Sequence, residues 1–279
     1  MTDYDPTDTP ALELQHVRIV HRAGRPDEVV ALRGIDLAVP AGQLVTVVGS
    51  NGAGKSSMIQ VVSGAVRPAS GRVRIGGRDV TRRPDWRRAG DVARVFDDPR
   101  KGTAPELSVE DNLALALRRG GRRRLWPAVT PRRRVLMREQ LARLGLGLED
   151  RLHEEVGSLS AGQRQSITMI MAALGAPRVL LLDEHLAALD PATARRVLDL
   201  TAELARDLGS ATVMVTHNME HALELGDRLL VMGGGRVVAD LPRARTRAMA
   251  PADVVEVLVS SGESASDRSL LAATEAGES

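Results

Sequence analysis

At 279 residues and 43% hydrophobic, the chain is long enough for one large domain or two modest ones and can fill an ordinary core. It has no cysteine, which excludes disulfides, thiolate metal sites and cysteine nucleophiles and fits a reducing cytoplasm; no run of about 18 apolar residues reads as a membrane span. The formal charge of +2 is slight, and the basic residues are almost all arginine: of 38 Lys plus Arg, only Lys55 and Lys101 are lysine.

The chain starts MTDYDPTDTPALE, acidic where a secretory leader is basic and then apolar, so export by that route is not expected. Leu12 to Ile19 then alternates apolar and polar residues, and Val29 to Val39 does so more loosely. Both predict strands of a small antiparallel sheet, with Arg72 to Ile75, closed by Gly76-Gly77, as a third.

Leu44 to Val48 is a short apolar run that reads as a buried strand, and Met58, Ile59, Val61 and Val62 recur at helical spacing. Between them Gly49-Ser50-Asn51-Gly52-Ala53-Gly54-Lys55-Ser56 fits the phosphate-loop pattern G-x-x-x-x-G-K-[ST] in full, in its required strand–loop–helix setting. The backbone amides from Gly49 to Ser57 and the helix N terminus would hold the α- and β-phosphates. Lys55 would reach the β/γ oxygens, and the Ser56 hydroxyl would ligate Mg²⁺. Lysine presents a compact charge where arginine presents a wide fork, so a narrow cradle of amides explains why Lys55 survives the arginine bias.

From about Leu113 to Leu146 the pattern is helical and rich in arginine, with Ser108 and Asp111 as a helix cap. The basic run from Arg118 to Val135 reads first as a solvated face, next as a contact for anionic headgroups and last as a nucleic-acid site, since Trp126 alone is no stacking platform. Ser160 and Gln163, ahead of Ile167, Ile170, Met171 and Leu174, form the capping-box pattern, and a capped helix N terminus is also an anion site. Val179 to Leu182 and Thr212 to Val215 are continuous apolar runs with helical patterns between them, the mark of a parallel sheet. Ligands of such sheets sit at the carboxyl ends of the strands, which directs attention to Asp183-Glu184 and Thr216-His217. The final stretch, GESASDRSLLAATEAGES, is small and polar and is expected to be disordered.

With LSAGQ at Leu159–Gln163, VLLLDE ending at Glu184, ALD at Ala188–Asp190 and THN from Thr216, the phosphate loop completes five motifs in order. From about Leu12 to Asp240 the chain resembles the nucleotide-binding subunit of an ABC transporter. The resemblance implies an α/β P-loop NTPase fold: a RecA-like parallel core, an N-terminal antiparallel β subdomain and an inserted α-helical subdomain. On that plan residues 11–240 are the nucleotide-binding domain, with the helical part at about 97–165, and 241–279 are a C-terminal extension.

The same resemblance assigns roles. Asp183 would hold Mg²⁺, Glu184 would act as general base on the attacking water, and His217 would contact the γ-phosphate. Ser160, Ala161, Gly162 and Gln163, with Asp190, would face the nucleotide of a second, head-to-tail copy, so a homodimer is expected. VFxDPxxGTAP, VLLLDEHxAALDP and THNMEHAL resemble most the ATPases of bacterial importers, a group linked to aromatic amino acids and related solutes. Such an ATPase lies in the cytoplasm on the inner face of the membrane, against a membrane permease served by an extracellular solute-binding protein.

Three positions depart from the family, of which Ala161, where the signature has its first glycine, is a mild change expected to be tolerated. No aromatic residue lies between Tyr4 and Trp86, which leaves His21 as a weaker adenine platform. Asp97 stands where the family has a glutamine that ligates Mg²⁺; a carboxylate also ligates Mg²⁺ but adds charge and is one methylene shorter, so slower hydrolysis or altered coupling is expected. Two other readings remain open at this stage: a soluble ABC ATPase acting on nucleic acid or ribosomes, and a regulatory subunit that binds ATP without turning it over.

Overall fold

In the computed structural model, which describes residues 9–120, 127–187 and 189–260, the alternating N-terminal segments form β1 (Leu12–His21) and β2 (Val29–Val39), paired antiparallel with Leu12 opposite Val39. The chain continues through β3 (Leu44–Gly49), α1 (Lys55–Ser63), β4 (Ser70–Ile75), β5 (Arg78–Asp79), α2 (Asp85–Arg88), β6 (Val92–Val95), α3 (Val109–Leu117), α4 (Pro131–Ala142) and α5 (Ala161–Leu174). It ends with β7 (Val179–Asp183), α6 (Pro191–Leu208), β8 (Ala211–Val215), α7 (Met219–Leu225), β9 (Arg228–Gly233), β10 (Arg236–Pro242), α8 (Arg243–Thr246) and α9 (Pro251–Ser260). The expected small sheet is present as β2-β1-β4-β5, all antiparallel. A larger sheet runs β10-β9-β3-β8-β7-β6, parallel from β9 through β6, with β10 antiparallel at one edge.

The continuous apolar runs are explained by burial on both faces. In β7, Val179 and Leu181 pack towards α1 and the antiparallel sheet, whereas Leu180 and Leu182 pack among residues of α3, α4, α5 and α6. Removal of both faces from water stabilises each such side chain by about 1.5–3 kcal/mol, which is why the strand carries no polar alternation. A third cluster joins Val48, Leu229 and Val231 to α7 and α9. The sequence reading names no strand at β6, β9 or β10. β6 is only four residues long and includes Arg94, too short for a period to show.

Helix ends follow the chemistry of their caps. Ser108 caps α3 by accepting from the Asp111 N–H, and Asn218 caps α7 by accepting from the His221 N–H. The C-terminal end of α1 is held differently. Arg88, 1% exposed, donates from Nη1 to the carbonyls of Val61 and Val62 at 2.7 and 2.8 Å, and from Nε to that of Arg83 at 2.9 Å. Burial lowers its pKa to about 10, so it stays charged at neutral pH and meets the negative end of the helix dipole. Replacing Arg88 with methionine strips these carbonyls of their donor; we expect a loss of about 3 kcal/mol, read as a lower urea midpoint with an unchanged slope.

Residues 121–126, inside the basic run and including Trp126, residue Ala188 and the C-terminal tail lie outside the described residues. In the part of the run that is described, Arg134 bonds Glu110 and Arg133 donates to the Ala128 carbonyl. Among the described residues no helix is long and apolar enough to cross a membrane.

Candidate active site

The phosphate loop is shaped by crowding as much as by composition. A Cβ on Gly49 would lie 2.2 Å from the Met232 carbonyl oxygen of β9, and one on Gly54 would lie 2.6 Å from the Ala31 oxygen of β2. Gly54 also has φ +99°, so both contact and conformation require glycine there. Gly54 is the N-cap of α1 and supplies no side-chain cap, which leaves the first-turn N–H groups for an anion. Lys55 is 5% exposed and lies back along the loop, its Nζ donating to the carbonyl oxygens of Gly49 and Ser50 at 2.5 and 2.9 Å. Ser56 is exposed. His21, at the end of β1, has Nε2 3.2 Å from Ser57 Oγ, so the antiparallel sheet delivers its ring to the start of α1.

Strands β7 and β8 end level with one another, and β3 runs two residues further to Gly49. Val215 of β8 is opposite both Val47 of β3 and Asp183 of β7, and the residues that follow therefore emerge together at the carboxyl ends. Beyond Asp183 the chain turns at Glu184 with φ 49°, a left-handed conformation that costs a non-glycine residue of order 1–3 kcal/mol and recurs where function demands it. The turn sets Glu184 Oε1 2.6 Å from His217 Nε2, with both side chains partly exposed. A cavity of about 550 Å³, lined by Glu184, His185, Leu189, His217, Asn218 and Glu220 among others, adjoins the pair.

Two supporting residues escape the motif reading. His185 is buried, and its Nε2 lies 2.9 Å from Thr201 Oγ1. The Thr201 hydroxyl gives its own proton to the Val197 carbonyl, so it accepts from His185, which fixes the tautomer. Burial drives the His185 pKa down to about 3; the ring is a neutral pin that ties the turn after β7 to α6. Arg94 of β6 is the second: its Nη2 donates to Asp183 Oδ2 at 2.6 Å, and its guanidinium lies 4.5 Å from the centre of the Phe96 ring.

Asp97 is partnered as well. Lys101 Nζ donates to its Oδ1 at 2.8 Å, and this bond, first among the causes, holds the Asp97 carboxyl below the usual carboxylate range. At the start of α5 both halves of the capping box form, Ser160 Oγ accepting from the Gln163 N–H and Gln163 Oε1 from the Ser160 N–H. Ser160 and Ala161 are exposed. Gly162 is pressed against α6, since a Cβ there would lie 2.2 Å from Thr193 Cγ2, and Asp190 caps α6 by accepting from the Thr193 N–H.

Amides and Lys55 on one side can hold phosphates, and carboxylates at the strand ends can hold a cation or take a proton. Among the described residues no group of three or more His, Cys, Asp or Glu could enclose a metal ion. A divalent ion here would take most of its ligands from phosphate and water, which is how Mg²⁺ is bound with only one or two carboxylates; the exposed Ser56 hydroxyl and Asp183 at its strand end fit that donor set.

A phosphate loop between β3 and α1, with acids at the neighbouring strand ends, defines a P-loop nucleoside triphosphatase. The family profile for ABC transporters matches residues 32–187. A tyrosine transport ATP-binding protein of Clostridioides difficile is 40% identical over 218 residues, covering 78% of this chain and 86% of the relative. The aliphatic sulfonates import ATP-binding protein SsuB of Rhodopseudomonas palustris is 35% identical over 229 residues, covering 81% and 75%. Among solved structures, a dimeric post-hydrolysis state of the ATP-binding cassette MJ0796 bound to ADP and Pi is similar, with a TM-score of 0.70 at 25% identity, covering 83% of this chain and 98% of that one. The chain belongs to the ABC transporter family and is its ATP-binding, ATP-hydrolysing subunit.

Proposed function

We infer that the protein hydrolyses Mg²⁺-bound ATP between two head-to-tail copies of itself and thereby drives solute import through a separate membrane permease, served by an extracellular solute-binding protein. The observation that carries the reading is the Glu184–His217 pair, 2.6 Å apart at the ends of adjacent strands and next to the phosphate loop. It is the arrangement a water molecule needs to be polarised and aimed at a terminal phosphate.

The residue roles follow from position. The loop from Gly49 to Ser57 cradles the phosphates, with Lys55 turning from its loop carbonyls to the β/γ oxygens. Ser56 and Asp183, with Asp97, would hold the metal, which when bound would supply neutralisation of the charge on the transferred group. His21 lies against the adenine. Exposed Ser160 and Ala161, backed by Gly162, Gln163 and Asp190, meet the nucleotide on the other copy. Residues 11–240 form the nucleotide-binding domain, with its helical part at about 97–165, and 241–279 extend it. Location against the inner face of the membrane follows from the permease. Import is supported by what the relatives are named for; the solute is set by the other subunits.

Affinity purification from gently solubilised native membranes tests the assembly. A multi-span permease among the co-purifying proteins is the expected result. Ribosomal or DNA-bound proteins without a permease would replace this reading with that of a soluble ABC ATPase.

A further inference from the structure

The two carboxylates assigned to the metal are both occupied by cations of the chain itself. Asp97 is held by Lys101 at 2.8 Å, and Asp183 by Arg94 at 2.6 Å. The two pairs differ in environment. Lys101 and Asp97 are each about half exposed, so that pair is screened by water and contributes little. Arg94 and Asp183 are 20% and 12% exposed, where a charge without a partner is costly.

The Arg94 contact is also incomplete. An arginine fork matches a carboxylate through two parallel N–H bonds, but here Nη2 alone reaches Asp183, while Nε is buried without a hydrogen-bond partner. The guanidinium is held in place by the Phe96 face beneath it and by the short edge strand β6, where Arg94 is opposite Leu181, two residues before Asp183. Arg94 is thus anchored on its own strand and joined to the carboxylate through one donor rather than two, the arrangement of a counter-ion that can be exchanged.

We propose that Arg94 is a positioning residue that neutralises Asp183 until a nucleotide-borne divalent cation displaces it. This rests on the reading of Asp183 as a metal ligand. Two consequences follow from charge alone. Without metal, Arg94 cancels the carboxylate that would repel the incoming phosphates. With metal, the cation must compete for Asp183, and if the carboxylate is free in about a tenth of molecules, apparent metal affinity is weakened about tenfold.

The readout is the ratio of mant-ADP dissociation constants measured by fluorescence in EDTA and in Mg²⁺, which reports how much the metal adds to binding and involves no turnover. Arg94→Met is expected to raise that ratio about tenfold, from weaker binding in EDTA and tighter binding in Mg²⁺. Arg94→Gln, which keeps a donor without the charge, should follow it, and Arg94→Lys should stay within about twofold of the wild type. Because both constants are measured on the same preparation, a general loss of stability does not move the ratio. Asp183→Asn is the control and should bring the ratio close to one. If Asp183→Asn collapses the ratio while Arg94→Met and Arg94→Gln leave it unchanged or lower it, Arg94 is only a structural partner and the proposal fails. If Asp183→Asn leaves the ratio as in the wild type, it is the metal-ligand reading of Asp183 that fails.

Discussion

Lys55→Arg is expected to abolish ATP hydrolysis, a loss of about a hundredfold or more in phosphate release, even though the charge is kept. The reason is room. Lys55 is 5% exposed and threads between the Gly49 and Ser50 carbonyls, in a loop whose glycines already touch the backbones of β2 and β9. A planar fork is wider than an ammonium group and needs its donors spread in one plane. To enter the loop it would have to push Gly49 towards Met232 or Gly54 towards Ala31, where even an added Cβ would collide with a backbone oxygen. The cradle would open, and its amides would no longer converge on one phosphate. Lys55→Ala should behave like the arginine variant, because geometry and charge both fail. Normal turnover by Lys55→Arg would show that charge alone is required.

Glu184→Gln separates chemistry from binding. The amide keeps the size of the side chain and a hydrogen bond to His217 but has little basicity, so turnover should fall by about 10²–10⁴-fold, the usual contribution of a general base. Nucleotide affinity should change little, since the loop that holds the phosphates is untouched. Glu184 has φ 49° and its N–H is bonded to the Val215 carbonyl, so the backbone, and with it the side-chain position, is retained in the variant. Rapid-quench measurement of a single turnover gives the chemical step directly; a variant as fast as the wild type in that assay would move the role of base to another residue.

What could be read in the chain and what could not divide along a physical line. The places of Gly49, Gly54, Lys55, Asp183, Glu184 and His217 are legible because a motif holds a residue type at a fixed spacing and survives without knowledge of the fold. The buried strands β3, β7 and β8 are legible because burial on two faces leaves an unbroken apolar run. Arg94 is not legible: its partner Asp183 is 89 positions away, and nothing in a four-residue edge strand announces the pairing. His185 and Arg88 escape for the same reason, since a buried polar residue is explained only by the distant groups that satisfy it. β9 did carry a signal, Leu229-Leu230-Val231-Met232 followed by three glycines, the pattern of an apolar strand and a tight turn into its neighbour. The positive φ of Glu184 has no counterpart in composition, because strain there is imposed by the strands on either side.

The scarcity of lysine makes the protein unusually simple to address chemically. Amine-directed reagents attack the uncharged ε-amino group, and apart from the chain terminus they have two targets. Lys55 is shielded within its loop, whereas the Lys101 side chain is 54% exposed. The hydrogen bond to Asp97 raises the Lys101 pKa, which slows acylation near neutral pH and tightens its dependence on alkalinity. A dye attached there sits four residues from Asp97, on the segment that leads into the helices, and reports on that loop without any cysteine being introduced.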